Sequence, residues 1–260
     1  MEIIASLQRI IPHKSYYTQD HKQYNAAFKW SPLPSPLKTD ESFYSQIQDI
    51  FLSPEEIQSV ARYYRNRKRQ YQYIFARVVT KKILCKWRKE EYLSNQFDYK
   101  DISISNVKEG IHKGMPLLKI NDVDIDLNLS LSHTDGMIGG AAGKGCRVGI
   151  DIEEIAKFSE SFLTTAFSER ERSSSVEFAP HLSTDQKTAL FWSIKESIVK
   201  TMGIGFHFGL KSIQVEPYKE NFFKIILNKE YKKYLMKTNG ILRIGYFFTK
   251  NSCCVCCILY

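Results

Sequence analysis

Asp151 and Glu153 stand two residues apart in the run CRVGIDIE, residues 146–153. Val148, Ile150 and Ile152 alternate there with Gly149, Asp151 and Glu153, which is the period of a strand. Both carboxylates therefore leave one face, their Cα atoms roughly 6.5 Å apart. Two carboxylates on one face repel unless something cationic sits between them. A hard divalent cation such as magnesium suits them, since it takes few carboxylates and keeps water or phosphate oxygens in its other positions. A solvated strand edge carries the same pattern.

A second group is FWSIKESIVK, residues 191–200. On a helix Trp192, Lys195, Glu196 and Lys200 share a face, while Phe191, Ile194 and Ile198 are free to pack. That face reads either as a third carboxylate between two phosphate-binding ammoniums or as an exposed surface with a Glu196–Lys200 pair. A third group is LSLSHT, residues 129–134, with Leu129 and Leu131 on one face, Ser130 and Ser132 on the other and His133 at the end. A lone His at a strand end is usually structural or exposed, and no Ser/His/Asp order supports a hydrolase triad.

The elements that must position these residues are legible in part. Ser53-Pro54-Glu55-Glu56 is a helix start, with a basic helical stretch running on to about Lys89. From Ala61 to Lys89 that stretch holds eleven Lys or Arg and no acid. Strand-like runs follow at 101–107, 117–120 and 125–132. Ser168–Glu171 and Ser183–Gln186 both read as capping boxes, the second opening a helix to about Thr201. The tail gives strand candidates at 212–216, 222–228, 241–248 and 252–259. The spacing implies an α+β protein in two similar halves, 1–144 and 145–260, with the first 40 or so residues unassigned.

The 260 residues carry a net charge of +9, so anionic partners are expected: nucleic acid, an acidic membrane, phosphorylated small molecules or an acidic protein. No run has the length of a signal or membrane segment, which implies a soluble, cytoplasmic protein. Cys253, Cys254, Cys256 and Cys257 crowd around Val255. Without a partner His or a second Cys pair at zinc spacing, they read as a buried strand using Cys as a small apolar residue.

GIDIE (149–153), followed some forty residues later by WSIKESIVK (192–200), resembles the signature of Sfp-type 4′-phosphopantetheinyl transferases. SLSH (130–133) and KGMP (113–116) are similar to that family's earlier motifs, in the right order. The resemblance implies two α+β halves related by a pseudo-twofold, with the active site and coenzyme A between them. By motif matching it implies magnesium on Asp151, Glu153 and Glu196. It puts Lys195 and Lys200 at the pyrophosphate, and Ser132 and His133 near the nucleotide phosphates. Gly114-Met115-Pro116 departs from the family's Gly-Lys/Arg-Pro, with Lys113 as a substitute cation. Candidates for the 3′-phosphate are Arg62, Arg65, Arg69 and Arg77.

The implied reaction moves 4′-phosphopantetheine from coenzyme A to a serine of an apo acyl or peptidyl carrier protein and releases 3′,5′-ADP. Glu196 and Lys200 would be the catalytic pair. Fatty-acid, polyketide and nonribosomal-peptide carriers all stay open. The expected protein is a monomer without membrane contact. Rival readings are a basic nucleic-acid-binding module, drawn from the Arg/Tyr-rich stretch after Ala61 and otherwise not expected, and a magnesium-dependent phosphohydrolase on the same carboxylates.

Overall fold

In a computed structural model of the chain, residues 2–9, 16–20, 24–33, 41–61, 66–89, 97–219, 222–235 and 241–260 are described. The first half runs β1 (Glu2–Arg9), β2 (Tyr16–Asp20), β3 (Tyr24–Pro32), α1 (Glu41–Phe51), α2 (Pro54–Ala61), α3 (Arg67–Lys89), β4 (Ile102–Asn106), β5 (Pro116–Ile120), β6 (Val123–Asp124), β7 (Asn128–His133) and β8 (Met137–Lys144). The second runs β9 (Arg147–Glu154), α4 (Glu160–Ala166), α5 (Glu169–Glu177), α6 (Thr184–Met202), β10 (Ile213–Lys219), β11 (Phe222–Leu227), α7 (Lys229–Leu235), β12 (Leu242–Phe248) and β13 (Ser252–Leu259). The fold is α+β.

A six-stranded sheet has the order β10-β11-β1-β12-β13-β9, a four-stranded sheet the order β2-β3-β8-β7, and β4-β5-β6 form a third. The larger two sheets pack face to face. Val148, Ile150 and Ile152 of β9 and Cys254, Cys256 and Ile258 of β13 meet Phe28, Trp30 and Ala141 between them. The other side of β13, Cys253, Val255, Cys257 and Leu259, packs against Leu190, Ile194 and Ile198 of α6. On the far side of the smaller sheet, Ala27, Leu129 and Ala142 share a core with Ile83, Leu84 and Trp87 of α3. Each sheet thus presents one side to its partner and the other to a long helix.

β13 is buried along its whole length and all four of its cysteines are free, so they serve as small apolar residues on both faces, as expected. One expectation needs correction. The basic stretch after Ser53 is not one helix: α2 ends at Ala61, and α3 starts afresh behind Asn66, whose Oδ1 accepts from Arg69 N at 3.0 Å. β1, from the first 40 residues left unassigned by sequence, lies between β11 and β12, antiparallel to one and parallel to the other.

Candidate active site

Gly149 decides how closely α6 can approach β9. A Cβ at that position would stand 1.9 Å from the Ser197 carbonyl oxygen and 2.3 Å from Thr201 Oγ1. Only the bare glycine lets the helix backbone lie on the strand. The contact brings α6 residues onto the carboxylates of β9: Lys200 Nζ lies 2.7 Å from Asp151 Oδ1, and Trp192 Nε1 donates to Glu153 Oε1 at 3.1 Å. The helix is held at its ends by the Ser183–Gln186 capping box and by Gly203, whose φ of 69° closes the last turn in the left-handed region.

Asp151 is buried, and its Oδ1 takes both the Lys200 ammonium and the Ser132 hydroxyl, the latter at 3.1 Å. Its Oδ2 is buried without a hydrogen-bond partner. Burial, then the charges of Asp151 and Glu196, push the Glu153 carboxyl up to about 7. Burial also raises Glu196, against the opposing effect of Lys200. Burial disfavours the charge on Lys200, yet Asp151, Glu196 and Glu153 together hold its pKa above the usual lysine value.

Three carboxylates thus share one ammonium, and one buried carboxylate oxygen has nothing to bind. A hard divalent cation would relieve both conditions, so the oxygen donors of Asp151, Glu153 and Glu196 suit one chemically. Among the described residues no three His, Cys, Asp or Glu side chains converge as they stand.

Glu196 and Lys200 line a cleft of about 1080 Å³, and they meet there with residues of the first half: Arg69, Arg77, Lys113 and His133. His133 is exposed to the cleft, yet desolvation by the surrounding walls, then Lys200, lowers its pKa, with Arg77 and Arg69 acting in the same direction, which favours the neutral ring. Arg77 is largely buried, lies 3.3 Å from the Tyr73 ring centroid and donates to the carbonyls of Ile104 and Tyr73. Sequence reasoning missed Asn106, at the end of β4, and Lys108, in the β4–β5 connection, which also line the cleft. Neither sits in a motif, and only the folding of that connection toward Gly203, where His112 Nδ1 meets the carbonyl at 2.9 Å, brings them in. Arg62 and Arg65 lie outside the described residues.

Two expected site residues are placed elsewhere. Lys195 does not reach the cleft: it is fully buried, with its ammonium 2.9 Å from Glu171 Oε1 and donating to the Ala166 carbonyl at 2.6 Å. Its position on α6 sends it toward the cap of α5 while Glu196, one residue on, turns to the cleft. Ser132 is buried as well, and its hydroxyl is engaged by Asp151, Lys200 and the Ile152 N–H rather than lying open to a ligand.

The fold and cleft define an α+β protein in which Glu196 and Lys200 meet Arg69, Arg77, Lys113 and His133 in one groove suited to a phosphorylated ligand, while Asp151, outside that lining, is reached through Lys200. Residues 147–253 match the family model of the 4′-phosphopantetheinyl transferase superfamily. Proteins of this class transfer phosphopantetheine from coenzyme A to carrier proteins. The match contains Asp151, Glu153, Glu196 and Lys200; Arg69, Arg77, Lys113 and His133 lie before it. No match is found among curated proteins. Among the described residues no helix is long and apolar enough to cross a membrane.

Proposed function

We propose that the chain is an Sfp-type transferase that moves the 4′-phosphopantetheine group of coenzyme A to a serine of an apo acyl or peptidyl carrier protein, with magnesium. The observation that carries this reading is the meeting of Glu196 and Lys200, within the matched residues, with Arg69, Arg77 and Lys113 in one cleft. Coenzyme A is polyanionic, and such a cleft supplies cations along it. The carrier serine oxygen bonds to the phosphorus on the pantetheine side. The bond from that phosphorus to the bridging oxygen breaks, and 3′,5′-ADP leaves. Phosphoryl-type transfer needs positioning and charge stabilisation above all.

Glu196 is the group we assign to take the serine proton, directly or through a water, from its place beside Lys200 in the cleft lining. Lys200 stabilises charge on the leaving diphosphate oxygen. His133 donates to a phosphate oxygen as a neutral ring. Asp151, Glu153 and Glu196 would hold magnesium, which supplies charge neutralisation at the diphosphate. The remaining basic surface of α3 suits an acidic carrier domain. Residues 1–144 and 145–260 are proposed as two related halves of a cytoplasmic monomer.

Calorimetry tests the reading. Coenzyme A should bind the wild type and the Glu196→Gln variant alike, while transfer falls by about two to four orders of magnitude in the variant. Loss of binding with turnover tracking occupancy would make Glu196 a binding residue only. Tight, salt-steep binding of nucleic acid without coenzyme A binding would favour the nucleic-acid reading.

A further inference from the structure

β7 and β9 are each the terminal strand of their sheets, yet they lie side by side. No backbone ladder joins them. Instead the edge N–H of Ile150 donates to Ser130 Oγ at 3.0 Å, and that of Ile152 donates to Ser132 Oγ at 3.2 Å. Two hydroxyls from one half therefore satisfy the buried edge of the other, which would otherwise carry unpaired donors. Ser130 and Ser132 are both buried, and their seam contacts are of the same kind.

They differ in one respect. Ser132 Oγ also lies 3.2 Å from Lys200 Nζ and 3.1 Å from Asp151 Oδ1. A hydroxyl has one proton and two lone pairs. The Ile152 N–H and the Lys200 ammonium occupy the lone pairs, so the proton has one acceptor left, Asp151 Oδ1. That oxygen then holds two donors while Oδ2, equally buried, holds none. The inequality of the two oxygens is set from outside β9, by a residue of the other half.

We propose that Ser132 is a positioning residue: it fixes the rotation of the Asp151 carboxylate, parks Lys200 on Oδ1 and keeps Oδ2 available to a divalent cation. The proposal rests on the reading of Asp151 as a cation ligand. Without the Ser132 hydroxyl the carboxylate is free to turn, and Lys200 can address both oxygens and compete with the cation. Removal of a partner that orients a metal ligand typically lowers metal affinity about 10–100-fold.

The test uses manganese(II) as the probe, titrated by electron paramagnetic resonance into the full chain without coenzyme A or carrier, beside thermal melts. Ser130→Ala and Ser132→Ala each remove one seam hydrogen bond and should both lower Tm, Ser132→Ala by more because it also loses the contacts to Asp151 and Lys200. Only Ser132→Ala should weaken manganese binding, by about 10–100-fold, with Ser132→Thr restoring it because the hydroxyl returns. Equal weakening in Ser130→Ala, or unchanged affinity in Ser132→Ala, overturns the proposal. Asp151→Asn separates the two levels. If it abolishes manganese binding while Ser132→Ala leaves it intact, the Ser132 role alone is wrong; if it too leaves binding intact, the cation reading of Asp151 falls and the proposal falls with it.

Discussion

The two halves of the molecule contain the same buried device, and only one of them lies against the carboxylate site. In the first half Ser53 and Glu56 cap α2 reciprocally, Lys81 of α3 donates to Glu56 Oε2 at 2.5 Å and to the Phe51 carbonyl at 2.7 Å, and Ile104 N of β4 donates to Glu56 Oε1. In the second half Ser168 and Glu171 cap α5, Lys195 of α6 binds Glu171 and the Ala166 carbonyl, and Val215 N of β10 donates to Glu171 Oε1. In both, a short helix's cap, a long helix and the following strand are tied through one carboxylate and one lysine. The repetition supports the proposal that the halves are related copies.

The difference lies in what borders the device. Glu56 also faces Arg77, 3.6 Å away, and lines the cleft, so the first device supports a cation at the cleft wall. Lys195 has no such neighbour in the cleft, but the residue after it is Glu196. One half thus presents positive charge to the cleft and the other presents a carboxylate beside an ammonium. Helices fixed in the same way present different groups to the cleft: Arg77, four residues before Lys81, on α3, and Glu196, one residue after Lys195, on α6.

The largest expected effect tests the shared device. Lys195→Met leaves Glu171 buried without its ion partner and should cost about 3–5 kcal/mol in denaturant unfolding, and Lys81→Met should cost less because Arg77 still stands 3.6 Å from Glu56. The double replacement Lys195→Met with Glu171→Leu should recover much of that loss, because the unpaired charge is gone. If Lys195→Met proves nearly neutral while Lys81→Met does not, the two devices are not equivalent.

Next is the approach of each long helix to its sheet. Gly149→Ala sets a Cβ against α6 backbone, and Gly140→Ala sets one 2.3 Å from Thr80 Oγ1 of α3. Overpacking of this kind costs about 1–3 kcal/mol. Both should lower stability, but Gly149→Ala should also depress kcat, since it moves Glu196 and Lys200 away from β9. Equal kcat losses for the two variants would detach that approach from the chemistry.

The smallest effect separates the halves by pH. Among the described residues, five thiols of the second half have a pKa raised chiefly by burial. Cys146 and Cys257 are each pushed up from 9.0 to about 12. A raised folded-state pKa contributes stability that is whole below pH 9 and is lost as pH rises toward the folded value. Each such group removes up to about 1.4 kcal/mol per pH unit above 9. Melts of wild type and Cys146→Ala between pH 8 and 10 should therefore converge as pH rises, and a constant gap would contradict this.

Much of this was legible locally. The GIDIE alternation, the capping boxes at Ser168 and Ser183 and the all-buried 252–259 strand follow from period and cap chemistry, which act over a few residues. The register of β1 was not, because its partners Ile226 and Arg243 lie more than 200 positions away and nothing in EIIASLQR names them. Sequence also showed Glu56 and Glu171 as caps without their lysines. A helical wheel puts Lys195 beside Glu196, but only the packing of α5 reveals which of the two is drawn inside.

The central claim is transfer to a carrier serine, and intact-protein mass spectrometry addresses it most directly. An apo carrier protein incubated with the enzyme, coenzyme A and magnesium should gain the mass of one phosphopantetheine group on its serine, with 3′,5′-ADP released in equal amount and Asp151→Ala inactive though folded. Carriers of all three pathway classes left unmodified, while nucleotide or phosphate is released without them, would contradict the account and favour hydrolysis.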